Sequence, residues 1–178
     1  MKQLTHYDIE NKQQQFPITI VCDAIRTPEN IGMCFRVSET FGVEKIYFHE
    51  ISPTIDNRVV KKTARNTIPQ IEHASYSDFS TIIHKLKEEG HTIIGIEITD
   101  KSIDIQDFEF TNHEKIVLLL GSERNGIENI QLVDHTIAIP MYGRNSSMNV
   151  IHSLAITLYE ATNQIKKSKN TEINSEYK

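Results

Sequence analysis

The sequence predicts an α/β protein whose central sheet is mostly parallel and buried on both faces, and three observations lead there. Short apolar runs such as "KIVLLLG" and "HTIIGIEI" have little polar alternation, as in strands covered from both sides. Stretches of helical periodicity separate these runs, the alternation expected of βαβ construction. Polar residues crowd the ends of several runs, in "DAIRTPENIG", "GSERNGI" and "YGRNSSMN". In parallel sheets ligands bind outside the carboxyl ends of the strands, where such segments lie.

Taken in order, residues 18–22 read as the first strand, and 30–41 as a helix closed by Gly42. Residues 45–48 form the second strand, 58–64 a short helix and 71–74 a weak strand. Ser77 and Asp78 supply capping oxygens for a third helix, which Gly90 ends. "HTIIGIEI", "KIVLLLG" and "HTIAIPM" are three further strands, and 150–165 is the closing helix. One domain is expected, with a core from about residue 17 to 165 and a polar tail over 166–178 that frays.

With 38% hydrophobic and 24% charged residues and no long apolar run, the chain is expected to be soluble. Its polar first residues hold no apolar leader, so cytoplasm is the expected compartment and no membrane contact is expected. Cys22 and Cys34 read as buried free thiols. No histidine or cysteine spacing suggests a metal site, and none is expected. The net charge of −5 speaks against a nucleic-acid binder unless positive charge is local. It is local in "NRVVKKTARN", where Arg58, Lys61, Lys62 and Arg65 occur without an acid. That run is either a solvated helix face or a phosphate-contacting one.

Several chemistries drop out. Gly121 and Gly126 have the spacing of a phosphate-binding loop, but Ile127 stands where its lysine must be. The glycines make no G-x-G pair, so the usual dinucleotide fingerprint is missing. There is no G-x-S-x-G elbow, and His152 follows Ser147 too closely for that hydrolase order.

Three segments instead carry a resemblance. "NIGMCFRVSETFG" supplies Asn30, Arg36 and Gly42; "LLLGSERNGI" supplies Gly121, Glu123 and Gly126; "IPMYGRNSSMNV", followed by Tyr159 and Glu160, supplies Ile139, Ser147, Met148 and Asn149. In order and spacing these resemble the three motifs of the SpoU/TrmH branch of the SPOUT RNA methyltransferases. Met148 replaces the usual leucine and Ile151 a usual small hydroxyl residue.

The resemblance implies an α/β knot, in which the C-terminal segment threads a loop to make a trefoil, and an obligate homodimer. It implies S-adenosyl-L-methionine as the cofactor, contacted by Gly121, Ile139 and Met148, and methyl transfer to a ribose 2′-hydroxyl of RNA. Asn30, Arg36, Glu123, Ser147 and Asn149 are the catalytic set it assigns, with the site completed by the partner chain.

Plainer readings stand beside these. Ser147 or Asn149 could cap the last helix, Asn30 the first, and Glu123 could be a carboxylate favoured in a turn. Arg36 alone would read as a surface arginine on an amphipathic helix. The family gives it activation of the 2′-hydroxyl; a charged guanidinium has no acceptor, so holding the target and stabilising the forming alkoxide is the more conservative role. Arg58, Lys61, Lys62 and Arg65 are the expected RNA contacts, aided by Arg26, Arg124 and Arg144. Few residues precede Pro17, which favours transfer RNA over ribosomal RNA as the substrate. The rival readings are a non-catalytic RNA-binding protein on the same fold and a base-methylating relative.

Overall fold

A computed structural model describes residues 1–4, 8 and 13–176, without the side chains from residue 170 onward. The polar N-terminal segment and the end of the tail fall partly outside these residues.

The apolar runs form strands β1 (Phe16–Cys22), β2 (Val43–His49), β3 (Glu72–Tyr76), β4 (His91–Ile96), β6 (Lys115–Leu120) and β7 (His135–Ala138), with a two-residue strand β5 (Ile103–Asp104). They make one sheet in the order β3-β2-β1-β6-β4-β7-β5, and every pairing is parallel. Alternate residues of a strand face opposite sides, so the continuous run in β6 fills two cores. Ile116, Leu118 and Leu120 pack on one face, with helices α1 (Pro28–Thr40), α2 (Arg58–Ala64) and α4 (Val150–Glu176). Val117 and Leu119 pack on the other, under Phe79, Ile82, Ile83 and Leu86 of α3 (Phe79–Glu88).

The local signals act as expected at several ends. Asp78 caps α3 by accepting from Thr81 N at 2.7 Å, and Asn57 caps α2 by accepting from Val59 N at 2.8 Å. Gly42 and Gly90 take positive φ after α1 and α3. Cys22 and Cys34 are free and buried, with Sγ atoms 3.8 Å apart.

Three differences have physical causes. Helix α1 begins two residues before Asn30, because Pro28 at its first turn has no N–H to leave unpaired. Helix α4 runs past Ile165 to Glu176, since no glycine or proline interrupts 166–176. Strand β5 has no counterpart in the sequence pattern, as two residues carry no periodicity; Ile105 N donates to Ala138 O at 2.9 Å just beyond it. Among the described residues no helix is long and apolar enough to cross a membrane.

Candidate active site

At the carboxyl ends of β4, β6 and β7 lies a cavity of about 660 Å³, within the range typical of small-molecule sites. Four segments wall it: 96–99 at the end of β4, 121–130 after β6, Ile139 and Met141 after β7, and 147–153 at the start of α4. Gly121, Ile139 and Met148 all line it, as do Glu123, Ser147 and Asn149.

The 121–127 segment is a tight turn. Ser122 N donates to Gly126 O at 3.0 Å and Gly126 N to Ser122 O at 3.1 Å, with Gly126 at φ 64°. Glu123, on the tip of this turn, reaches across to α1. One of its oxygens accepts from Thr27 N at 3.0 Å and from Asn30 Nδ2 at 2.9 Å; the other accepts from Arg26 N at 3.1 Å. Ala24, at φ 57° in the left-handed region, lies in the turn that delivers these two N–H groups.

Asn30 then accepts from Asn149 Nδ2 at 3.2 Å, and Asn149 Oδ1 accepts from Ile151 N at 2.9 Å. One continuous polar chain therefore joins the three motif segments. It also decides the capping alternatives. Asn149 both caps α4 and holds Asn30, while Ser147 is exposed at the cavity and makes no cap. Asn30 lies inside α1, so it is no cap, and both ends of its buried amide are used.

Partial burial raises the Glu123 pKa, but the N–H of Arg26 and the amide of Asn30 outweigh it and bring the pKa to about 2, from 4.5. A carboxyl with a depressed folded pKa contributes stability above its unfolded pKa and loses it as the pH falls from 4.5 toward 2. Because Glu123 is more exposed than buried, solvent screening reduces that contribution to roughly 1–2 kcal/mol. Replacing Glu123 by Gln should therefore cost that amount at pH 7, and the gap to the parent should narrow as the pH falls below 4.5 and close only near pH 2. Urea midpoints measured across pH would check this; a gap independent of pH would mean the charge is not what holds the turn.

Arg36 is not at this cavity. Six residues beyond Asn30 is about 240° around a helix and about 9 Å along it, so Arg36 points elsewhere. It is half-buried, and its guanidinium has no hydrogen-bond or ion-pair partner among the described residues. The basic run is likewise apart. Helix α2 packs on α1 where Gly32 meets Thr63, since a Cβ there would lie 2.6 Å from Val60 O. Arg58, Lys61, Lys62 and Arg65 all face solvent, and Lys61 pairs with Asp56 at 2.8 Å, an acid just outside the run. Arg26, Arg124 and Arg144 are exposed around the motif segments, with Arg124 on the cavity wall. Glu160 accepts from Gln164 Nε2, which in turn donates to Phe108 O, so its contacts are structural.

The 97–102 segment is not marked in the sequence, where Glu97 and Ile98 read as the end of the strand that stops at Ile96. Glu97 lines the cavity and accepts from Ile127 N at 3.1 Å. Its one signal is an acid immediately after an apolar strand, at the sheet edge where ligands bind.

The cavity suits a nucleoside-bearing cofactor: Ile96, Ile98, Ile127, Ile139 and Met148 offer apolar surface to a base, and the turn backbone and Ser and Asn side chains offer polar groups to the rest. Known proteins are similar in sequence and in fold. A tRNA (guanosine(18)-2′-O)-methyltransferase of Escherichia coli K12 is 26% identical over 85% of this chain and 66% of its own length. A 23S rRNA (guanosine-2′-O-)-methyltransferase of Neisseria meningitidis is 26% identical over 88% of this chain and 62% of its own. The chain thus spans about two thirds or less of these relatives. The crystal structure of the A. aeolicus TrmH/SpoU tRNA modifying enzyme superposes with a TM-score of 0.79 at 21% identity, covering 88% of this chain and 79% of that one. Residues 17–159, which hold all of the polar chain from Asn30 to Asn149, match the SpoU rRNA Methylase family, and the chain belongs to that family.

Proposed function

We propose that this protein transfers a methyl group from S-adenosylmethionine to a ribose 2′-hydroxyl of RNA, as a homodimer. The observation that carries the reading is the chain Glu123–Asn30–Asn149, which ties three motif segments around a cavity lined by Gly121, Ile139 and Met148. A binding module has no need of it. Transfer RNA is the favoured substrate, in keeping with the name of the E. coli relative, and the cytoplasm is the proposed compartment.

The cofactor supplies an electrophilic sulfonium methyl, so the protein must orient the attacking oxygen, let one proton go and keep water out. Gly121, Ile139 and Met148 would hold the cofactor. Ser147, exposed at the cavity rim, and Asn149 would position the ribose. Arg36, half-buried and unpaired among the described residues, would act in the partner's site, holding the ribose and stabilising the developing alkoxide while the hydroxyl proton passes to solvent. The fixed charge of a guanidinium fits stabilisation better than proton abstraction. Dimerisation is supported by the outward stripe of α4, where Ile156 is 40% and Tyr159 62% exposed. A trefoil knot is supported by the strand order: β7 lies between β4 and β5, which only the short 97–102 link connects, and the chain must still pass on to α4.

Phosphate contact falls to α2, whose cations, with Arg65 at its end, offset a net charge of −5 locally. The test is methyl transfer from labelled S-adenosylmethionine to tRNA and rRNA transcripts, with 2′-O-methyl nucleosides identified after digestion. No transfer by a dimeric, cofactor-binding protein would favour the non-catalytic reading. In parallel, Ala at Lys61, Lys62 and Arg65 should weaken RNA binding at unchanged cofactor affinity. The log–log salt slope should flatten by roughly 0.7–0.9 for each phosphate that is no longer neutralised. Equal slopes would leave α2 a solvated face.

A further inference from the structure

Two carboxylates line the cavity, and they are not in the same state. Glu123 is engaged by three donors from the α1 side. Glu97 accepts one backbone N–H on each oxygen: Ile98 N at 3.0 Å on Oε1 and Ile127 N at 3.1 Å on Oε2. A carboxylate offers about four acceptor sites, so among the described residues one lone pair on each Glu97 oxygen remains.

The group is also fixed in place. Its backbone carbonyl accepts from Ser102 Oγ at 2.7 Å, and Thr99, Ser102 and Thr136 share hydroxyl contacts of 2.9–3.1 Å that hold the 97–102 link against β7. Behind it lies the Cα of Gly126, where a Cβ would meet the Glu97 carboxylate. Backed by the turn and pinned by two N–H groups, the carboxylate cannot rotate freely, and it borders the cavity among Ile96, Ile98 and Ile127.

From this geometry we infer that Glu97 accepts the 2′,3′-cis-diol of the cofactor's own ribose, one hydroxyl per oxygen. The inference rests on the cofactor reading above. Two free acceptors held side by side match a ligand presenting two O–H donors side by side; an ammonium group offers a single centre. The apolar residues next to Glu97 suit the base attached to that ribose. Glu97 is thus a cofactor-positioning residue.

The test is calorimetric and needs no turnover: binding of 5′-methylthioadenosine, its 2′,3′-dideoxy form and S-adenosylhomocysteine to the full chain and to Glu97→Gln. For the parent, removing the hydroxyls should weaken binding roughly 10- to 100-fold, as expected for hydrogen bonds to a charged acceptor. For Glu97→Gln that penalty should shrink to a few-fold. An unchanged penalty in the variant overturns the inference, including the case where the substitution merely loosens the 121–127 turn and weakens all three ligands equally. A variant that weakens S-adenosylhomocysteine but spares methylthioadenosine assigns Glu97 to the ammonium instead, which also overturns it. Should Glu97→Gln not fold, Glu97→Asp takes its place, and a parent penalty under about threefold refutes the diol contact without any variant. A parent that binds none of the three ligands refutes the cofactor reading itself, a distinguishable failure.

Discussion

Chains carrying Arg36→Ala should bind S-adenosylmethionine as the parent does and transfer essentially no methyl group. Arg36 does not line the cavity of its own chain, so cofactor affinity has no reason to change. Losing a fixed positive charge at the developing alkoxide typically costs about 10²–10³ in rate, and losing the orientation of the ribose adds to that. Because the guanidinium has no partner among the described residues, the substitution removes no internal bond and the melting temperature should hold. Single-turnover transfer together with calorimetry would separate these effects. If Arg36 works in the partner's site, mixing Arg36→Ala chains with chains damaged in the cavity should restore up to about a quarter of the parent activity, since half of randomly paired dimers are mixed and each has one complete site. Mixtures that exchange subunits and stay inactive would refute the arrangement in trans.

The second large effect is expected at Gly121. A Cβ there would lie 2.5 Å from both Gly126 O and Ile127 N, backbone atoms with nowhere to move except apart. Gly121→Ala should therefore open the turn, break the Ile127 N–H bond to Glu97 and release the Glu123 contacts to α1. Overpacking of this kind costs about 1–3 kcal/mol, and a displaced wall that loses as much toward the cofactor should lower its affinity roughly 10- to 100-fold. Thermal melts with and without S-adenosylmethionine would show a lower baseline and little cofactor-induced rise. Gly143→Ala is the control: its Cβ would meet nothing within 4 Å, so stability should not change. Damage from Gly143→Ala equal to that from Gly121→Ala would contradict the steric explanation.

Much of this site is legible in the sequence. The family resemblance that the three motifs carry names Gly121, Glu123, Ile139, Ser147, Met148 and Asn149, and the structure gathers them at one cavity. The carboxyl ends of parallel strands lie along one sheet edge, so residues just after apolar runs converge whatever separates them in sequence. Helix α2 is legible to its residue bounds because Asn57 and the apolar pair Val60 and Ala64 are local signals. The two-residue strand β5 and the Glu97 contacts are not legible, because no periodicity or motif marks them.

What the sequence determined by itself was the kind of each longer element, set by interactions within a few residues, and which polar residues follow the strands. The tertiary structure alone decided which capping candidate caps α4, that Asn30 is a buried link rather than a helix cap, and that β7 slots between β4 and β5. The Asn30 link, like the seat of Glu97, rests on a hydrogen bond between distant residues: 119 positions separate Asn149 from Asn30 and 30 separate Ile127 from Glu97. Partners that distant are chosen by how strands pair and helices pack, a property of the whole folded chain that no local pattern carries.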